Sequence, residues 1–239
     1  MIIGIDADLG TNNKGRIFSI DSNYKRINTL YSFDYKEDLG YFESSDLVLA
    51  NNGKYYGVCT RNDQAKSFIF SYDLASNQYQ IAYQLSYPMN IGLSYGLAKH
   101  PNGLLYGVSV GSNLQPYGYI YSFNPSNNNF TVIHAFDSLH RRPNSGLVVG
   151  SNNKLYGSNG MRINPNKGYL YEFDLTSNSI NYIYTFTGFF GTSNSNLVVD
   201  DSCIYGIRDG SYPYYGRVYQ YNYLTNQFSI VHEVDVRNN

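Results

Sequence analysis

Few side chains in this chain are placed to do chemistry, and those few are spread over its length. Asp6, Asp63 and Asp209 each sit just past a short apolar run, at the start of a polar loop. Brought together, such carboxylates supply the acid and the base or nucleophile of a glycoside hydrolase. Asp6-Ala-Asp8-Leu-Gly10-Thr-Asn12 echoes an oxygen-ligand calcium loop, but it lacks the third acid and the closing glutamate, so no metal is expected. Of the four histidines, His140 alone lies beside two arginines, Arg141 and Arg142, a pair suited to gripping a carboxylate or phosphate. His134 and His232 alternate with Tyr31, Tyr83 and Tyr184 at one repeated position, which marks them as structural, and His100 lies in a short turn. No paired-cysteine zinc pattern, His-Glu-x-x-His, P-loop or nucleophile elbow occurs. The residues therefore point to no catalytic group and no cofactor.

These candidates hang on a repeat. Gly15-Arg-Ile-Phe-Ser-Ile-Asp21 returns as Ser67-Phe-Ile-Phe-Ser-Tyr-Asp73, Gly118-Tyr-Ile-Tyr-Ser-Phe-Asn124, Gly168-Tyr-Leu-Tyr-Glu-Phe-Asp174 and Gly216-Arg-Val-Tyr-Gln-Tyr-Asn222. Ile2-Ile-Gly4, Tyr55-Tyr-Gly57, Leu105-Tyr-Gly107, Leu155-Tyr-Gly157 and Ile204-Tyr-Gly206 keep step with it. A period of roughly fifty residues is that of β-propeller blades. Each unit holds four apolar runs of strand length, rich in Tyr, Phe, Ile and Val and parted by Asn, Gly, Ser and Pro. None keeps a helical apolar period. The expected fold is all-β: a five-bladed β-propeller of four-stranded antiparallel blades, strands A to D, in a single domain 1–239. The blades fall at approximately 1–34, 46–86, 96–136, 146–186 and 196–234. Strand A recurs only in the last four units, opened by Leu47, Leu97, Leu147 and Leu197, so one blade lacks a recognisable innermost strand. Asp21, Asp73, Asn124, Asp174 and Asn222 close the C strands, where a short acceptor side chain ties the following turn.

Composition narrows the function classes. The formal net charge is -1, which excludes the basic face that nucleic acid requires and a polybasic membrane attachment. No apolar run is long enough to span a bilayer, and the N-terminus lacks the basic start of a signal peptide. The expected compartment is the cytoplasm, or the exterior if a leader has been removed. Cys59 and Cys203 fall in blades two and five, not neighbours in a closed ring, so no disulfide is expected.

The A–B and C–D turns are short and uniform, whereas the B–C and D–A loops are long and differ in every blade. Both kinds of long loop leave the same face, and binding usually sits on variable loops carried by a rigid scaffold. The B–C loops carry Asp6, Asp8, Arg61, Asp63, Asn113, Gln115, Tyr117, Asn159, Arg162, Arg208, Asp209, Tyr212 and Tyr214. The D–A loops add Tyr41, His140, Arg141 and Phe189. Amides, single charges and aromatic rings suit a polyhydroxylated ligand: rings stack on sugar C–H groups while amides and acids take hydroxyls. The leading expectation is non-enzymatic binding of a carbohydrate or small polar ligand in one composite site. A protein-interaction scaffold anchored by Tyr212, Tyr214, Phe189 and Phe190 is the alternative, and a glycoside hydrolase the third.

Ser145-Gly-Leu-Val-Val-Gly-Ser-Asn-Asn-Lys-Leu-Tyr-Gly157, followed by Gly168-Tyr-Leu-Tyr-Glu-Phe173 and with Tyr31-Ser-Phe33 as the middle strand, resembles the repeat of the GloVer-type bacterial propeller family. That resemblance spans nearly the whole chain and implies the propeller architecture, with no active site attached. In length and in its Asn-Gly A–B turns the chain is also distantly similar to the five-bladed lectins typified by tachylectin-2, which implies a five-bladed ring, while its divergent loops depart from the equivalent sugar sites of those near-identical blades. Kelch and WD repeats rely on Trp, and this chain has none.

Overall fold

The computed structural model describes residues 1–7, 9–11, 15–33, 46–61, 66–85, 92–111, 116–140, 142–160, 167–187, 196–209 and 214–235. Among them every regular element is a β-strand, and the strands form five antiparallel sheets in chain order, the blades of a five-bladed β-propeller. Blade 1 has three strands, β1 (Ile2–Asp6), β2 (Arg16–Ile20) and β3 (Ile27–Ser32). Blade 2 has four: β4 (Val48–Leu49), β5 (Tyr55–Arg61), β6 (Lys66–Asp73) and β7 (Gln78–Gln84). Blade 3 runs through β8 (Leu93–Lys99), β9 (Leu105–Ser109), β10 (Tyr119–Asn124) and β11 (Asn129–Ala135). Blade 4 comprises β12 (Val148–Val149), β13 (Leu155–Asn159), β14 (Lys167–Asp174) and β15 (Ser179–Thr187). Blade 5 comprises β16 (Val198–Val199), β17 (Cys203–Asp209), β18 (Tyr214–Asn222) and β19 (Gln227–Asp235). Among the described residues the blade without an innermost strand is blade 1, as the repeat count predicts.

The repeated phrases have physical reasons. The glycine of Leu-Tyr-Gly lies under an aromatic ring of the neighbouring C strand. A Cβ on Gly4, Gly57, Gly107, Gly157 or Gly206 would run into Phe18, Phe70, Tyr121, Tyr171 or Tyr219 respectively. Tyr56, Tyr106 and Tyr156 of the same phrase are buried, and each hydroxyl accepts from the turn amide four residues earlier: Asn52 at 2.9 Å, Asn102 at 2.8 Å and Asn152 at 2.9 Å. At the C–D turns the Asp or Asn Oδ1 accepts backbone N–H groups, as in Ala75 to Asp73 at 2.9 Å and Thr176 to Asp174 at 2.8 Å. Those turns end on Asn77, Asn128, Asn178 and Asn226, all at positive φ, a conformation that asparagine tolerates better than most residues.

One β-bulge recurs in the C–D pairing of all five blades, between Ile17 and Phe18, Ile69 and Phe70, Ile120 and Tyr121, Leu170 and Tyr171, and Val218 and Tyr219. It leaves one residue per D strand unpaired: Leu30, Ala82, Ile133, Ile183 and Val231. The first four of these pack onto the next blade. Each such seam also carries a ring contact from the D strand to the following blade. Tyr31 stacks on Tyr79 at 4.7 Å, Tyr83 on Phe130 at 4.9 Å and Tyr184 on Phe228 at 3.8 Å, while His134 tilts over Phe173 at 5.7 Å. His134 is thus a seam residue, as its exchange with tyrosine implies.

The buried clusters fill the seams between blades 1 and 2, 2 and 3, 3 and 4, and 4 and 5. Among the described residues no such cluster joins blade 5 to blade 1. On the blade 5 side Val198 is 64% and Val231 54% exposed; on the blade 1 side Ile2 is 48% and Ile27 57% exposed. Near the axis, where blade 1 has no strand, blades 2 and 5 touch directly. Asn196 Nδ2 donates to Asp46 Oδ2 at 3.1 Å, and Asn196 Oδ1 accepts the Gly146 N–H at 3.2 Å. Cys59 and Cys203 are both buried, and no disulfide joins them.

Candidate functional site

Asp6, Asn159 and Arg208 hold one and the same register position in three blades, at the last turn of strand B and opposite Arg16, Tyr169 and Arg217. Their surroundings differ. Asp6 Oδ2 pairs with Arg16 at 3.5 Å and its Oδ1 accepts the Leu9 N–H at 3.1 Å, which makes it a loop clasp. The Arg208 guanidinium lies 5.7 Å from the centre of the Phe186 ring. Burial, and then the charge of Arg217, hold its pKa below the ordinary arginine value, while Arg217 itself pairs with Glu233 at 2.8 Å.

Asn159 opens onto a denser group at the seam of blades 3 and 4. The chain leaving β11 turns through Asp137, whose Oδ1 accepts the N–H groups of Leu139 and His140, both at 2.8 Å. The same carboxylate faces His140 Nδ1 at 3.0 Å. The imidazole then stacks on Tyr182 of β15 at 3.8 Å and 15°, and meets the edge of Tyr169 of β14 at 4.9 Å. Asn159 Nδ2 donates to the His140 carbonyl at 2.5 Å. Beyond it, Arg142 adopts φ 60°, held by its N–H donating to the Tyr117 carbonyl at 2.9 Å and its carbonyl accepting from Gly160 at 3.3 Å. A positive φ at a residue with a long side chain is costly and persists only where neighbours over-determine it.

Electrostatics favour a fixed ring. Burial pushes the Asp137 carboxyl up, but hydrogen bonds from the His140 ring, the His140 N–H and the Leu139 N–H outweigh it and leave the pKa below the usual carboxylate range. The ionised carboxylate accepts a hydrogen bond from Nδ1–H, so Nε2 is the nitrogen left for an outside partner. Among the described residues no hydroxyl, thiol or amine hydrogen-bonds to Nε2. Tyr182 is the unusual member: its register position carries Thr29, Ile81, Val132 and Ile230 in the other blades. Burial raises its hydroxyl pKa.

Of the residues singled out from the sequence, His140, Asn159 and Tyr117 are thus brought together, while Asp6 pairs within blade 1 and Arg208 lies at the seam of blades 4 and 5. Arg61, Asp209 and Tyr214 are placed only at backbone level, in β5, β17 and β18. Asp8, Tyr41, Asp63, Asn113, Gln115, Arg141, Arg162, Phe189 and Tyr212, together with Asn12 and Phe190, lie outside the described residues. Asp137, Tyr169 and Tyr182 were not legible as site residues. The signal available was the lone aromatic at a position otherwise aliphatic or Thr. Among the described residues no group of three or more metal-ligating side chains occurs.

No protein-family model matches the chain, and no curated protein matches it. Solved propellers do resemble it in fold. TolB from Acinetobacter baumannii superposes with a TM-score of 0.58 at 14% identity, covering 92% of this chain and 49% of TolB. The nidogen/laminin complex gives 0.62 at 12% identity, over 95% of this chain and 74% of that one. A protein from Lactobacillus plantarum gives 0.61 at 14%, over 98% and 66%. The chain spans about half the length of TolB. At these identities the likeness is one of fold.

Proposed function

We propose that this propeller is a non-enzymatic binding module whose variable face holds a carbohydrate or another small polar ligand at the seam of blades 3 and 4. The observation that carries this is the His140 ring, stacked on Tyr182, edged by Tyr169 and oriented by Asp137. A flat ring of fixed orientation with one available nitrogen offers a C–H stacking surface and one directional hydrogen bond, and Arg142 adds an exposed cationic rim. The test is to follow the His140 ring resonances by NMR while neutral and amino sugars are titrated. A saturable shift of Cε1–H with one sugar class supports the reading; ring signals unmoved by every sugar in the panel contradict it.

A second reading, protein assembly, is favoured by the open faces of blades 5 and 1. The blade 5 face corresponds residue for residue to the faces that press onto the next blade in four filled seams, and the blade 1 face to those that receive them. The partner we commit to is a second copy of this chain, blade 5 of one against blade 1 of the other. Sedimentation should then show association that Val231→Asp abolishes, and a concentration-independent monomer would sink it.

A further inference from the structure

The opposite, uniform face carries a second difference between blades that are otherwise alike. In blade 4, Lys154 stands at the foot of β13, its N–H donating to Asn152 Oδ1 at 3.2 Å, and its ammonium reaches Glu172 at 3.0 Å and Asp174 at 3.7 Å. Glu172 also accepts from Asn181 Nδ2 at 3.4 Å and from the Tyr156 hydroxyl at 3.4 Å. One carboxylate thus gathers an ammonium, an amide and a phenol.

Blade 2 builds the same frame without the glutamate, and the Lys54 charge there acts on Asp73, adding to the backbone hydrogen bonds that lower its pKa. Lys54 takes the position of Lys154, with the same backbone bond to Asn52 Oδ1 at 3.2 Å. Register places Ser71 between Tyr56 and Gln80, as Glu172 stands between Tyr156 and Asn181. The serine is too short to reach the lysine, and Lys54 makes no ion pair among the described residues. Where the Glu172 side chain fills blade 4, blade 2 has a pocket lined by Lys54, Ser71, Asp73, Ser76, Gln78 and Gln80, with Tyr79 at its edge.

We propose that this pocket binds the carboxylate of a small hydroxylated acid, such as a uronic acid, which takes the place that Glu172 holds in blade 4. Lys54 supplies the charge, the Gln80 amide donates as Asn181 does, and Ser71, Ser76 and Gln78 meet the hydroxyls. Asp73, the acidic residue in the lining, disfavours a second negative charge and so selects monoanions over phosphate dianions. The site is independent of the one on the variable face, and either can fail alone.

The probe is glucuronate, with glucose as the neutral control and inorganic phosphate as the competing anion, titrated against the full chain by amide NMR. The expected result is saturable movement of the Lys54, Ser71 and Gln80 signals with glucuronate in a range of about 1–10 mM, weak movement with phosphate and none with glucose. Ser71→Glu should abolish the effect while raising the melting temperature, because it installs the blade 4 ion pair. Lys54→Gln should abolish it with no gain in stability. Unmoved signals with glucuronate overturn the proposal, as does equal response to glucose, a stronger response to phosphate, or glucuronate binding that survives both variants.

Discussion

Tyr171 and Phe18 hold the same place in blades 4 and 1, each ring lying over the glycine of its neighbouring B strand. Tyr171 is fully buried, in the cluster between blades 3 and 4, whereas Phe18 is only partly buried on the face turned toward blade 5. The local sequence and local geometry are alike, so the difference comes from what the preceding blade provides. Blades alone do not make the core; seams do. Among the described residues, four seams enclose aromatic and aliphatic side chains on both sides, while at the fifth Val198, Val231, Ile2 and Ile27 are exposed.

That contrast gives matched substitutions. Tyr171→Ala removes a sealed ring and should cost about 3–5 kcal/mol in chemical denaturation, while Phe18→Ala should cost about half as much or less. Equal losses would mean that the fifth seam is closed in solution. Gly157→Ala forces a Cβ into the Tyr171 ring and should cost about 3 kcal/mol, more than Gly4→Ala, where the Phe18 ring has room to swing. The bulge residues sharpen the comparison at smaller scale. Ile183→Ser should lose about 2 kcal/mol and Val231→Ser under about 0.5 kcal/mol, read as a difference in denaturation midpoint at constant m.

The smallest expected effect is a pH dependence. Burial holds the pKa of His134 below the ordinary value of 6.5, against a weaker opposing pull from Asp137. Below pH 6.5 the unfolded chain binds a proton that the folded chain resists, so stability falls as pH drops from there toward the folded pKa. His134→Tyr, the residue of blades 1, 2 and 4, should remove that slope. Asp137 acts lower down, its depressed pKa contributing stability that is lost as pH falls below the usual carboxylate range. An acid-side slope unchanged by His134→Tyr would contradict the seam assignment.

The fold was largely legible because a repeat reports the positions that every blade must satisfy. Gly157 under Tyr171, Asp174 in its turn and His134 in a tyrosine position each answer a need that recurs, so each recurs in the sequence. The site was legible only in part, since its contacts run from the loop after blade 3 to strands of blade 4. His140 drew attention through Arg141 and Arg142, but its actual partners are Asp137, Tyr169 and Tyr182. The open seam was hidden for a different reason. Val198 and Val231 are the residue types that the other blades bury, and only the tertiary structure shows what covers them.

The site proposed on the variable face is tested most directly by a glycan array read with the native chain beside Tyr182→Ile. That variant installs the residue of blade 2 at the same register position, so the blade should fold while His140 loses its stacking partner. Binding to one sugar class by the native chain, lost in a Tyr182→Ile protein of unchanged melting temperature, is the predicted result. Sugar binding that Tyr182→Ile leaves intact, or an array with no binding by the native chain, would contradict the account.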